Sequence, residues 1–340
     1  MSSRSSLALL LVVLLPARVL AQTCNVDPQS YPAAVSDARS AALTARLLAS
    51  VQHIAPIDGR VCVAWGGMSS ARIVGQDIRA AINQGQAGWS PLVKFANVAS
   101  SGDTIGFWDE PTDVAWEQMA TRLGGSGCTH AQVQAMALWL VETQPTGDPA
   151  AGTFSRAQYD AVVATAFAQF PNLRYLEVSG HPFTGYSVGT TYADKVPEPF
   201  VHADNARLAG WVETTVPPVA YRTYWSQATI PHPEHGFVTA CSHVRSDGHH
   251  PSTFGTAGQD DGGGDRQWAM SALTRWAADP VWAFLSTGYG LPYEGDPPPV
   301  TSAPFSGTVT LDEGVCTLDG DAPSGAPVSV TVPVGVCDGL

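Results

Sequence analysis

Two short stretches of this chain carry residue types at spacings that could do chemistry. Ser246-Asp247-Gly248-His249-His250-Pro251-Ser252 puts a carboxylate three residues ahead of an imidazole, in a turn restricted by Gly248 and Pro251. At that spacing the Asp247 carboxylate can accept the Nδ1–H of His250, fixing the tautomer that leaves Nε2 as a base. A base needs something to deprotonate, and the natural candidate lies far upstream in Gly66-Gly67-Met68-Ser69-Ser70. If the two stretches meet, Ser69 is a nucleophile, His250 its base and Asp247 the group that orients the ring. Taken singly, each has a plainer reading. The first could be an Asx-type turn with a surface histidine, the second a strand-to-helix turn with a serine cap.

The surrounding elements decide whether they can meet. Arg60 to Trp65 reads as a short buried strand running through Gly66-Gly67 into a helical stretch, Ser70 to Asn83. Strand, glycine turn, small hydroxyl residue and helix is the layout that presents a side chain at the carboxyl edge of a parallel sheet. Further strands are expected at Leu92–Val98, within Gln134–Val141 and at Leu173–Ser179. Helices are expected at 34–52, Thr112–Leu123, Ser155–Phe170 with Ser155 as cap, Glu198–Thr214 and Arg266–Leu285, the last interrupted near Pro280. This alternation predicts an α/β fold, a three-layer α/β/α sandwich with a mainly parallel sheet. Alternating runs at Thr308–Leu311 and Val328–Val332 predict a small C-terminal β appendage. Trp65, Trp139 and Trp225 are expected in the core.

The 340 residues carry 17 Lys+Arg against 30 Asp+Glu, a formal charge of −13 that argues against nucleic acid or an anionic membrane surface as partner. With charged residues only 14% of the chain, a neutral substrate is the simpler expectation. Arg4, the apolar run Leu7–Leu15, Pro16 and the small-residue end at Ala21 have the form of a cleaved secretory leader. The expected organisation is a signal peptide at 1–21, a catalytic domain at 22–290, a Pro-rich linker at 291–305 and a β-rich segment at 306–340, in a secreted protein. Six cysteines in an oxidising compartment allow fifteen pairings, with Cys316–Cys337 the first choice because the two flank one short segment.

From about Arg60 to Leu285 the chain resembles the SGNH (GDSL-type) hydrolases. Gly67-Met68-Ser69 stands where that family has Gly-Asp-Ser, with Met68 in the aspartate position. Asn97-Val98-Ala99-Ser100-Ser101-Gly102-Asp103-Thr104 is similar to its second block, and Asp247-x-x-His250-Pro251 to its last. The resemblance implies an SGNH/flavodoxin-like fold and an acyl esterase with Ser69, Asp247 and His250 as catalytic residues. It also implies an oxyanion hole that uses the backbone N–H groups of Ser69 and Gly102. The family's Gly-x-Asn-Asp block is missing: the third strand ends in Trp139-Leu140-Val141-Glu142, with no Asn to donate a side-chain N–H. Losing one such donor typically costs about 10²–10³ in rate. The alternative is therefore a catalytically weakened domain that binds extracellular polysaccharide.

His181, Tyr186 and Glu198 follow the fourth strand and are candidates for substrate contact, because such loops line the cleft of an α/β domain. His243, His249, His250, Asp247, Asp260 and Asp261 crowd one region, but adjacent residues of an extended turn do not readily share an ion. No metal and no other cofactor is expected, a weak Ca²⁺ site at Asp260-Asp261 being the form that would merit a trial. The expected partner is a small acyl ester or an acylated carbohydrate, met by a monomer.

Overall fold

The computed structural model describes side chains over residues 35–83, 89–140, 154–182, 184–187, 201–223, 239–253 and 263–282. It gives backbone alone at 198–200, 307–312, 315–321 and 327–333. The leader, Cys24, Glu142, Trp225, the stretch His232–His235, Asp260-Asp261, the Pro-rich stretch and Cys337 lie outside the described residues.

Five parallel strands form the central sheet: β1 (Val61–Gly67), β2 (Val93–Asn97), β3 (Val133–Trp139), β4 (Tyr175–Ser179) and β5 (Val219–Arg222), in spatial order β2-β1-β3-β4-β5. Every residue of β1, β3, β4 and β5 is buried, as a parallel sheet covered on both faces requires. The helices are α1 (Ala41–Val51), α2 (Ser69–Asn83), α3 (Val114–Gly125), α4 (Arg156–Gln169), α5 (Glu198–Val212) and α6 (Gly264–Ala278). The result is the expected three-layer α/β/α sandwich. Strands β6 (Gly307–Asp312), β7 (Val315–Asp321) and β8 (Pro327–Pro333) form a separate three-stranded antiparallel sheet, the expected β appendage.

Side-chain alternation along β1 assigns the two layers. Trp65 points to the face covered by α2 and α6, where its ring meets Trp276 at 5.8 Å and its indole N–H donates to Ala71 O at 2.7 Å. Gly66 points to the other face, towards Trp108 and Met119 of the α3 side. On that side α4 and α5 meet through Tyr159 and Trp211, 5.3 Å between ring centroids. Trp65 and Trp139 are core residues, each 1% exposed.

Helix starts follow local chemistry. Ser155 caps α4 by accepting from the Gln158 N–H, as expected. Ser40 caps α1 through the Leu43 N–H, so that helix begins at Ala41 rather than near residue 34. α6 ends at Ala278, just before Pro280, and begins two residues earlier than Arg266. β5 has no counterpart in the sequence reading: it is four residues long, too short for a periodic signal.

A disulfide joins Cys62 of β1 to Cys128 before β3, 66 residues apart, and Cys241 is also disulfide-bonded. In the chain-entropy account a loop of that size is worth about 4 kcal/mol. The pair chosen first from sequence, Cys316–Cys337, includes a residue outside those described.

Candidate active site

Ser69 and His250, 181 residues apart, meet at the carboxyl edge of the sheet: Ser69 Oγ lies 2.7 Å from His250 Nε2. His250 Nδ1 lies 2.8 Å from Asp247 Oδ2. The three side chains form one continuous hydrogen-bonded relay, with the His250 and Asp247 side chains partly open to solvent (13% and 26% exposed).

Ser69 is placed by the end of β1. Gly67 has φ +128°, a conformation that L side chains rarely adopt, and a Cβ there would run into the Trp139 carbonyl of β3. This turn lets the chain leave the sheet and start α2 at Ser69 itself. The N–H of a first helical residue has no partner inside its helix, so it remains available to an incoming oxygen. The loop after β2 is bonded to the same corner. Val98 N–H donates to Trp65 O at 2.9 Å and Ser100 N–H to Gly67 O at 2.8 Å. Gly102, at φ +87° and exposed, lies two residues further along this loop. Arg122 of α3 secures this loop from the other side, donating to Val98 O at 2.7 Å and Ser100 Oγ at 2.9 Å.

The loop that brings Asp247 and His250 is tightly specified. Asp247 Oδ1 accepts the backbone N–H of both His249 and His250, each at 2.9 Å, which is the Asx turn and the ring-orienting contact in one residue. Val244 and Pro251 bridge antiparallel, and Arg245 N–H donates to His250 O at 2.8 Å. Gly248 sits at φ +69°, its α-carbon so close to the backbone of Tyr186 and Ser187 that no Cβ fits. Ser252 then fastens the loop to α6: its Oγ accepts from Gly264 N–H at 2.9 Å, and its carbonyl accepts from Asp265 N–H at 2.9 Å.

Electrostatics favour an ionised Asp247. Burial pushes its carboxyl up, but the hydrogen bonds from the His250 ring and from the two backbone N–H groups outweigh that and bring it down to about 2. His249 behaves oppositely. Burial first, then the neighbouring His181 and His250, lower it to about 3, so it is neutral at neutral pH. Its ring meets that of His250 edge-on at 4.9 Å and that of His181 at 6.0 Å.

His181 and Tyr186 therefore stand behind the relay rather than on its open side. His181 is 1% exposed, its backbone clamped by Asn205, and Tyr186 is 8% exposed with its hydroxyl donating to Thr239 O at 2.9 Å. Burial also drives the Tyr186 phenol up to about 12, so it stays a neutral donor. Both pack against the loop that carries Asp247 and His250, His181 through the His249 ring and Tyr186 through its backbone beside Gly248. Glu198 opens α5, and its side chain lies outside the described residues. Sequence reading missed three positioning residues: Arg122, Ser252 and the neutral His249. Only Ser252, directly after the His-Pro step, carried a local cue. Among the described residues, no group of three or more His, Cys, Asp or Glu is set to hold a metal ion, and no helix is long and apolar enough to cross a membrane.

A parallel α/β sandwich with a Ser–His contact at the carboxyl edge of its sheet is the arrangement of serine-hydrolase-like proteins. No family model matches the chain, and no curated protein matches it. Among solved structures, a protein from Arabidopsis thaliana known from an X-ray structure is similar at 15% identity, with a TM-score of 0.30, over 54% of this chain and 61% of its own. The chain thus spans less than two thirds of that protein's length. A likeness of that size leaves the fold and site to be read from this chain's own residues.

Proposed function

We propose that this chain is a secreted serine esterase of the SGNH type that removes small acyl groups, acetyl above all, from an acylated carbohydrate. The observation that carries the reading is the relay Ser69–His250–Asp247, with its 2.7 and 2.8 Å contacts. Ser69 Oγ attacks the ester carbonyl carbon while His250 Nε2 takes the hydroxyl proton, and Asp247 holds the charged ring. The negative oxygen of the tetrahedral intermediate is received by the N–H groups of Ser69 and Gly102. Collapse breaks the bond to the alcohol oxygen, which leaves with the proton from His250. Water, deprotonated by the same nitrogen, then attacks the acyl-serine, releases the carboxylic acid and restores Ser69. Order along the chain supports the SGNH assignment: Ser69 follows β1, Gly102 follows β2, and Asp247 and His250 share one loop just before α6.

The test is turnover of p-nitrophenyl acetate together with labelling by a fluorophosphonate probe. Wild type is expected to hydrolyse the ester and take the label at Ser69; Ser69→Ala and His250→Ala are expected to lose at least about 10³-fold in kcat. Retained turnover in either variant rejects the site. Absence of both label and turnover in wild type, with binding to an extracellular polysaccharide, selects the non-catalytic alternative.

A further inference from the structure

At the β2 edge of the sheet lies a cleft of about 260 Å³ lined by Arg72, Gln76, Arg79, Asn97, Ala99 and Arg122. Three guanidinium groups in one cleft are conspicuous in a chain with 17 Lys+Arg and a formal charge of −13. Among the described residues none of the three makes a salt bridge. Arg122 feels the buried carboxyl of Asp103, whose own ionisation burial opposes, and spends its donors on the loop after β2 and on Gln118 of its own helix. Arg72 reaches only the Ser101 hydroxyl, at 3.4 Å, and no described group accepts from Arg79. The positive charge of the cleft is therefore largely unspent.

The cleft also shares its walls with the catalytic corner. Arg72 lies three residues beyond Ser69, one turn along α2, and Ala99 belongs to the loop that carries Gly102. Arg79 is ten residues beyond Ser69, roughly 15 Å along the helix axis. An acetyl group held at Ser69 cannot reach that far, so an anion bound there belongs to the alcohol portion of the ester. The negative charge of the whole molecule disfavours a polyanion, whereas one charged group met at contact distance is screened from distant charges beyond roughly 8 Å.

Resting on the esterase reading, we infer that the cleft is a subsite for a single carboxylate or sulfate on the glycan that carries the acyl ester. The substrate class is a sparsely charged acylated oligosaccharide, one acidic residue placed one or more sugars from the ester. Arg72 and Arg79 supply charge-assisted hydrogen bonds to the anion, and Asn97 and Gln76 line the approach. The low charged fraction of the chain led to the expectation of a neutral substrate; this inference departs from it on the local arrangement of three arginines.

The experiment compares kcat/KM on acetylated xylo-oligosaccharides that differ only in one uronic acid branch, with a singly sulfated oligosaccharide as a second arm. Wild type is expected to prefer the uronate-bearing ester by about tenfold or more over the neutral one. Arg79→Glu is expected to abolish that preference while leaving turnover of p-nitrophenyl acetate and thermal stability unchanged. Equal use of neutral and charged esters by wild type, or a preference that survives Arg79→Glu, overturns the inference. A preference for the sulfated arm alone assigns sulfate rather than carboxylate. If wild type hydrolyses no ester, the esterase reading fails by itself. Calorimetric titration with the uronate-bearing oligosaccharide then decides the cleft: tighter binding than the neutral oligosaccharide, lost in Arg79→Glu, supports it, and equal binding overturns it.

Discussion

Asp247 holds His250 at two points, accepting the backbone N–H on Oδ1 at 2.9 Å and lying 2.8 Å from the ring Nδ1 with Oδ2. One side chain thus shapes the loop and orients the base, and the two tasks fall to different oxygens. Asparagine separates them, because its single oxygen can still accept the backbone N–H groups while its amide cannot accept a ring N–H.

Asp247→Asn is therefore expected to fold normally and to lose about 10³–10⁴-fold in kcat, with KM little changed. Thermal melting and ester kinetics check this, and a loss of less than about tenfold would mean that ring orientation comes from elsewhere. The sign of the pH effect is also fixed. With its carboxyl lowered to about 2 in the folded state, Asp247 contributes stability that is fully present above its unfolded value near 4 and is lost as the pH falls towards 2. The carboxylate therefore stays ionised through mildly acidic conditions.

How much of this was legible in the residues depends on the range of the interaction. The layered fold could be read because β1 and β3 are near-continuous apolar runs and the helices have local caps such as Ser155. The Asp247–His250 contact is also local, three residues within one turn. That Ser69 would meet His250 across 181 residues followed from the rule that loops after parallel strands gather at one edge, together with the order of the three motifs shared with the SGNH hydrolases. Cys62–Cys128, Arg222 and the His181–His249 packing were not legible, since each depends on which strands become neighbours. The burial of His181 and Tyr186 was likewise not legible, since it depends on where the loop of Asp247 and His250 packs.

The seam between α2, which carries Ser69, and α6, which is fastened to the His250 loop, contains a carboxyl pair. Asp77 of α2 is raised to about 6, first by burial and then by the nearby Asp265 of α6, against the opposing pull of Arg266. A carboxyl raised on folding contributes most when protonated: its stabilisation is complete below its unfolded value near 4 and is lost as the pH rises through about 6. Asp77→Asn is expected to raise the melting temperature at pH 7.5 and leave it nearly unchanged at pH 4. Equal shifts at the two pH values, read by scanning calorimetry, would exclude this pair as the cause.

Arg222 of β5 is the centre of a buried ionic cluster that ties the N-terminal segment to the sheet and α6. It contacts Glu177 Oε2 at 3.3 Å, Asp37 Oδ2 at 3.8 Å and, more closely still, Asp279; Arg39 and Arg275 complete the set through Asp279 and Asp37 at 2.7 and 2.6 Å. Glu177, fully buried, has its carboxyl raised by that burial even though Arg222 and the Tyr175 hydroxyl pull it down. Arg222→Met removes the cation and leaves Glu177 buried beside Asp279, so it is expected to cost about 3–5 kcal/mol. Denaturant unfolding measures this. The double variant Arg222→Met/Glu177→Leu, which takes away the stranded charge as well, is expected to recover part of the loss. A single variant within about 1 kcal/mol of wild type would mean that the remaining arginines suffice to neutralise the cluster.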